Sequence, residues 1–217
     1  MTMKNIENWV WDLNGIFYRR TKEFYQNLHS ALALHIADNK IGSLNYEQAL
    51  RLAKTSPNCF QVFIDAYQVS FEDLARPTYD RMNLSFIKPN YSLNKQLQRM
   101  GGTHVIFTSS TVDWTKKVLR RKGVEDIFPD QNIIALTGSG HHKSQPETYP
   151  WLLETRGFEA SRTCISEDTQ KYLGLAKQAG MVTTLLHSNE PQESYTDYKF
   201  DRLNQFTAFA VKQRMTP

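Results

Sequence analysis

The 217-residue chain is 40% hydrophobic and 22% charged with a formal net charge of +4, which suits one α/β domain with a sizeable core, or a core plus a small insert, and excludes a fibrous or disordered chain. Its two cysteines, Cys59 and Cys164, stand far apart; they exclude a four-cysteine zinc site and a CxxC pair, and predict two reduced, packed thiols in a reducing compartment. Residues 1–8 are polar and no run of 18 apolar residues occurs, so the expectation is a cytoplasmic protein with no membrane partner.

In chain order, Trp9-Val10-Trp11 reads as a strand that stops at Asp12. Residues 18–89 then read as an all-helical insert. Phe24, Leu28, Leu32 and Ile36 recur at i+4 on one face of a first helix. Asn45 caps a second that carries Tyr46, Ala49, Leu50 and Ala53. Phe60, Phe63, Ile64 and Tyr67 mark a third, and Ser70 with Asp73 resembles a capping box that opens a fourth. Their aromatic stripes are expected to be core.

His104-Val105-Ile106-Phe107 is a second strand, stopping at Thr108-Ser109-Ser110. A helix over 112–122 follows a Ser/Thr cap, carries Asp113 in its first turn and closes at Gly123. Its basic end holds Lys116, Lys117, Arg120, Arg121 and Lys122, read as a solvated helix face; nothing aromatic is interleaved, so no nucleic-acid partner is expected. Asn132-Ile133-Ile134-Ala135-Leu136 is a third strand leading into a Gly/Ser/His loop. A helix over 146–156 has Pro146 at its first position and Gly157 past its end. Thr163-Cys164-Ile165-Ser166 is a fourth strand stopping at Glu167-Asp168. A helix over 169–179 ends at Gly180, and Val182-Thr183-Thr184-Leu185-Leu186 is a fifth strand. Short apolar runs without alternation predict strands buried on both faces.

This order predicts an α/β fold: a Rossmannoid parallel sheet flanked by helices, with a core of residues 1–17 and 90–217 interrupted by a four-helix domain over 18–89. Ligands in such sheets bind beyond the carboxyl ends of the strands. Asp12, Thr108 and the Glu167-Asp168 pair all fall there, so they are expected to meet on one edge.

Four stretches in this order resemble the motifs of the haloacid dehalogenase (HAD) superfamily of hydrolases: Trp11-Asp12-Leu13-Asn14-Gly15-Ile16-Phe17-Tyr18, Val105-Ile106-Phe107-Thr108-Ser109-Ser110, Lys143-Ser144-Gln145-Pro146-Glu147 and Ser166-Glu167-Asp168-Thr169. Within it the chain is most similar to helical-cap, pyrimidine 5′-nucleotidase-like phosphatases. The resemblance implies that Asp12 is a nucleophile forming an aspartyl-phosphate. It implies that the Thr108 hydroxyl and Ser109 N–H hold phosphoryl oxygens, and that Lys143 neutralises charge on the phosphoryl group and Asp12. Asp12, Glu167, Asp168 and the backbone carbonyl of Asn14 would bind Mg²⁺, and the partner would be a small phosphorylated metabolite such as a nucleotide. The insert is then a cap that sets specificity.

Position 14 departs from the family. The second aspartate of active relatives protonates the leaving group and activates water, and the Asn14 amide cannot do so. Such help is worth about 10²–10⁴-fold, or roughly 3–5 kcal/mol of barrier. Ile16 and Ser144 are milder departures. Three readings stay open: a slowed Mg²⁺-dependent phosphatase, a non-catalytic protein that keeps the phosphate- and metal-binding shell, and other HAD chemistry. In the last class the Glu167-Asp168 pair argues against a dehalogenase, whereas Lys22, Lys40 and Lys54 leave open a phosphonate-cleaving Schiff base. Adjacent His141 and His142 read as a solvated loop. Arg19 and Arg20, just past the first motif, are either surface residues or a greeting for an anionic substrate.

Overall fold

A computed structural model describes residues 3–56 and 58–215; residues 1, 2, 216 and 217, at the ends of the expected core range, lie outside the described part. The chain divides into two compact units, one of residues 1–19 and 88–217 and one of residues 20–87.

The smaller unit holds four helices: α1 (Lys22–Asp38), α2 (Tyr46–Ala53), α3 (Cys59–Tyr67) and α4 (Phe71–Arg81). Local chemistry fixes their starts. The Thr21 hydroxyl accepts the Phe24 N–H, and Asn45 and Gln48 cap each other reciprocally at 3.0 Å. Ser70 accepts the Asp73 N–H. Phe24, Leu28, Leu32 and Ile36 are all buried, as their spacing requires. Phe60 packs edge-on against Phe71 and Tyr79.

The larger unit is built on six strands: β1 (Asn8–Trp11), β2 (Thr103–Thr108), β3 (Ile133–Ala135), β4 (Thr163–Glu167), β5 (Val182–Leu186) and β6 (Tyr198–Phe200). All pair in parallel, in the order β3-β2-β1-β4-β5-β6. Five helices flank them: α5 (Tyr91–Met100), α6 (Val112–Lys122), α7 (Thr148–Arg156), α8 (Gln170–Gln178) and α9 (Leu203–Met215). Side chains alternate across each strand. Val10, Phe107 and Ile165 therefore face one layer, closed by Tyr149 and Leu152 of α7 and Leu173 and Ala176 of α8. Trp9 and Trp11 face the other, against His104 and Phe206 of α9. The indole N–H of Trp9 donates to the Gly101 carbonyl, and that of Trp11 to His104 Nδ1. These bonds let two large rings be buried without stranding their polar atoms.

Three expectations need correction. The third strand covers only Ile133–Ala135, because Asn132 closes a 3-10 turn and Leu136 enters the next turn. It is half-buried because it lies at the sheet edge, not buried on both faces. The helix expected over 146–156 starts at Thr148. A turn from Gln145 to Thr148 takes up Pro146, and Pro150 occupies the first turn instead, where its missing N–H has no helical partner to lose. β6, α5 and α9 add to the expected elements. No helix of the described residues is long and apolar enough to cross a membrane.

Candidate active site

β1 is central, and its two neighbours are β2 and β4. The chain builds outward from β1 through β2 and β3 on one side and through β4, β5 and β6 on the other. The loops after β1 and β4 therefore diverge at the reversal, where open parallel sheets leave a crevice. Register places Trp11 beside Ser166, and the Asp12 N–H donates to the Ser166 carbonyl at 3.0 Å. Asp12 and Glu167 consequently leave adjacent strand ends on the same edge.

Asp12 and Glu167 are buried and Asp168 half-buried. Each offers a carboxylate oxygen, and these oxygens lie within 4.8 Å of one another. Among the described residues this is the one His/Cys/Asp/Glu group so arranged. Gly15 makes room for it: its φ is +93°, and a Cβ there would collide with the Asp168 carboxylate. The structure thus gives this motif glycine a packing role.

Lys143, only 3% exposed, reaches in from the loop after β3. Its ammonium donates to Asp12 Oδ1 and to Glu167 Oε1, both at 2.5 Å. Two aromatic residues steer it. The Tyr149 hydroxyl donates to the Lys143 carbonyl at 2.9 Å, and the Phe107 ring lies 5.5 Å from Nζ. Burial alone would push the ammonium down. The Asp12 and Glu167 carboxylates outweigh it and hold Lys143 well above the usual lysine range. Burial pushes Glu167 up, Lys143 pulls it down, and Asp12 and Asp168 push it further up. Lys143 shares its ammonium between two carboxylates, with a third beside them. Carboxylate oxygens gathered this closely are what a hard divalent cation fits.

Thr108 ends β2 and is fully buried; its Oγ1 accepts the Ser110 N–H at 3.1 Å and keeps its own hydrogen to donate. Ser109 is exposed beside it. Asn14 is engaged at both ends. Its Oδ1 accepts from the Tyr18 hydroxyl at 2.5 Å, its Nδ2 donates to Ser110 Oγ at 2.7 Å, and Trp114 Nε1 donates to the same Tyr18 hydroxyl at 3.2 Å. Tyr18 and Ser110 both stand in the quoted motifs, but nothing in their spacing foretold this network.

The remaining candidates fall elsewhere. His141 stacks on Trp151 at 4.1 Å and His142 bonds Ser144; neither belongs to the carboxylate cluster. Arg19 donates to the Asp201 carbonyl and faces His187, while Arg20 belongs to the other unit.

No curated protein sequence matches the chain. Among solved structures it resembles CbbY from Rhodobacter sphaeroides in complex with phosphate, with a TM-score of 0.65, 18% identity, and coverage of 93% of this chain and 96% of that one. A predicted phosphoglycolate phosphatase from Haemophilus somnus 129PT gives 0.65 at 15% identity, covering 95% and 98%. The L-2-haloacid dehalogenase from Xanthobacter autotrophicus with chloropropionic acid covalently bound gives 0.59 at 11% identity, covering 97% and 100%. At these identities the likeness is one of fold. The family model of haloacid dehalogenase-like hydrolases matches residues 17–186, starting just after Asp12 and Asn14 and taking in Thr108, Lys143, Glu167 and Asp168. With most of its length matched by that model, the chain belongs to the haloacid dehalogenase-like hydrolase family.

Proposed function

We propose that the chain is a Mg²⁺-dependent phosphohydrolase that acts on a small phosphorylated metabolite through an Asp12 phosphoenzyme, slowed by Asn14. The observation that carries this reading is the buried Asp12–Lys143–Glu167 triad with Asp168 beside it. Lys143 sets its ammonium against the carboxylate of Asp12, the nucleophile of this reading. Asp12, Glu167 and Asp168 would hold the cation, which would offset charge on the phosphoryl oxygens. The Thr108 hydroxyl has a hydrogen free for one of those oxygens, and the exposed Ser109 backbone stands next to it.

In the first half-reaction an Asp12 carboxylate oxygen bonds to phosphorus and the bond from phosphorus to the ester oxygen breaks. The departing alkoxide takes its proton from water, since Asn14 has none to give. In the second, water attacks phosphorus, the bond to Asp12 breaks and phosphate leaves; the proton from that water passes to solvent. Both halves lack the general acid–base help that an aspartate at position 14 would supply. Free, buried Cys59 and Cys164 fit a reducing, cytoplasmic setting.

A second reading, a non-catalytic protein, is favoured by one observation: the Asn14 side chain is held at both ends as a structural tie. The two separate on incubating the protein with Mg²⁺ and an activated aryl phosphate while following phosphate release and intact mass. A phosphoryl adduct that vanishes in Asp12→Asn supports the hydrolase. Neither adduct nor turnover, in the native chain and in Asn14→Asp, overturns it.

A further inference from the structure

A second cleft opens in the larger unit, beside the loop after β1. It has a volume of about 650 Å³ and is lined by the Ile16–Arg19 turn, Asn90, Lys122, His187 and residues 202–205 and 208 at the start of α9. None of Asp12, Thr108, Ser109, Lys143, Glu167 or Asp168 lines it. Its size lies within the roughly 300–1,000 Å³ of ordinary ligand pockets.

Its charge is one-sided. Arg19, Lys122 and Arg202 line it, and no carboxylate side chain does. Some cations elsewhere in the protein find acids: Arg81 pairs with Asp38, Lys116 with Asp130, Arg162 with Glu7 and Lys177 with Asp197. Those in the cleft do not. Arg19 donates to the Asp201 carbonyl and faces His187, and Lys122 donates only to the Lys88 carbonyl at 3.0 Å. No ion pair holds the Arg202 guanidinium among the described residues. Lys122 is half-buried, and burial pushes its ammonium down; a cation withdrawn from water without a counter-charge is costly unless an anion joins it.

The walls carry neutral donors as well. Asn90 ties α5 to α9 by donating to Asn204 Oδ1 at 3.0 Å, and its own N–H donates to the Lys122 carbonyl. Gln205 Oε1 accepts the Arg202 N–H, which fixes the first turn of α9 beside the cations. The positive end of this 13-residue helix adds to the same field.

We propose that this cleft is an anion site, separate from the hydrolytic centre, for a small molecule bearing two or more anionic oxygens in phosphoryl or carboxyl groups. Two guanidiniums supply planar forks for such oxygens, the ammonium a point charge, and the Asn and Gln amides contacts to the rest of the ligand. Occupancy requires no catalysis at Asp12, so the site stands or falls independently of the phosphohydrolase reading.

The test is titration of the full chain, without divalent metal, with pyrophosphate and separately with citrate, followed by calorimetry and backbone-amide NMR. Saturable binding is expected, with shifts concentrated at His187 and residues 202–205. Arg202→Ala, an exposed change, should weaken it about tenfold or more, the loss of one charge-assisted contact. Arg202→Ala with Lys122→Ala should abolish it while the amide spectrum elsewhere stays that of the native fold. Binding of either anion on this pattern supports the site, and the tighter one identifies the oxyanion chemistry. Shifts confined to Thr108, Ser109 and Asp168, affinity unchanged in Arg202→Ala, or no saturation with either anion would overturn it.

Discussion

Asn14 is where a single atom decides how much chemistry the site can do. Its amide accepts from Tyr18 and donates to Ser110, two contacts that tie the loop after β1 to the loop after β2. An aspartate of the same shape can keep both, since the Ser110 hydroxyl can turn its hydrogen toward a carboxylate oxygen. Asn14→Asp should therefore fold as the native chain does and gain a group that titrates. The gain depends on the leaving group. An alkoxide needs a proton as it departs, whereas an aryloxide leaves well without one. Asn14→Asp is expected to raise kcat/KM for alkyl phosphates by about 10²–10⁴-fold and to raise it much less for aryl phosphates. Steady-state kinetics on paired alkyl and aryl substrates read this directly, and equal gains for both would contradict the leaving-group argument.

At the scale of elements, what the sequence reveals follows from burial. β1, β2, β4 and β5 sit inside the sheet and are mostly buried, so they stand out as apolar runs. β6 is a three-residue, half-buried edge strand and leaves no such run. α5 does carry Leu93, Leu97 and Met100 at helical spacing, but α9 starts without a Ser, Thr, Asp or Asn cap and is tied instead by the Gln205 side chain. Strand ends were legible too, so the convergence of Asp12, Glu167 and Asp168 could be anticipated from the order of elements. The Trp114–Tyr18–Asn14–Ser110 chain could not, because it joins side chains 96 residues apart through hydrogen bonds that leave no periodic trace. The packing of β1 on β2 hides a further titratable group. His104 accepts from the Trp11 indole and is stacked against its ring at 6.0 Å. Burial pushes it down to about 4, against an opposing pull from the Leu97 carbonyl. The folded chain therefore keeps it neutral, while the unfolded chain protonates it near 6.5. Its contribution is fully present above pH 6.5 and is lost as pH falls toward 4. At about 1.4 kcal/mol per pH unit the loss reaches about 3 kcal/mol. His104→Gln retains an acceptor for Trp11 without titrating. Urea unfolding between pH 7 and pH 4 should show a shallower loss of stability for that variant than for the native chain; parallel slopes would show that His104 is not held neutral.

For the molecule as a whole, the site and the sheet are one construction. Asp12, Lys143 and Glu167 come from three segments, with Lys143 separated from Asp12 by 131 positions and from Glu167 by 24. None of these contacts can form until β1 has paired with β4 and the loop after β3 has folded back over them. Lys143 is the counter-charge that lets two carboxylates stay buried at the sheet edge, so removing it should be felt as global destabilisation as well as lost activity. Truncating one partner of a buried ion pair costs about 3–5 kcal/mol, because the remaining charge is left uncompensated. Lys143→Met, close in length and apolar, is expected to lose about that much in urea unfolding at pH 7 with a chelator present. Adding Glu167→Gln removes one of the stranded charges. The double variant should therefore be less destabilised than the two single losses added together, a coupling that a double-mutant cycle measures. A loss in Lys143→Met below about 1 kcal/mol, in the range of exposed pairs, would mean that water reaches the triad and that Lys143 is not a buried counter-charge to Asp12 and Glu167.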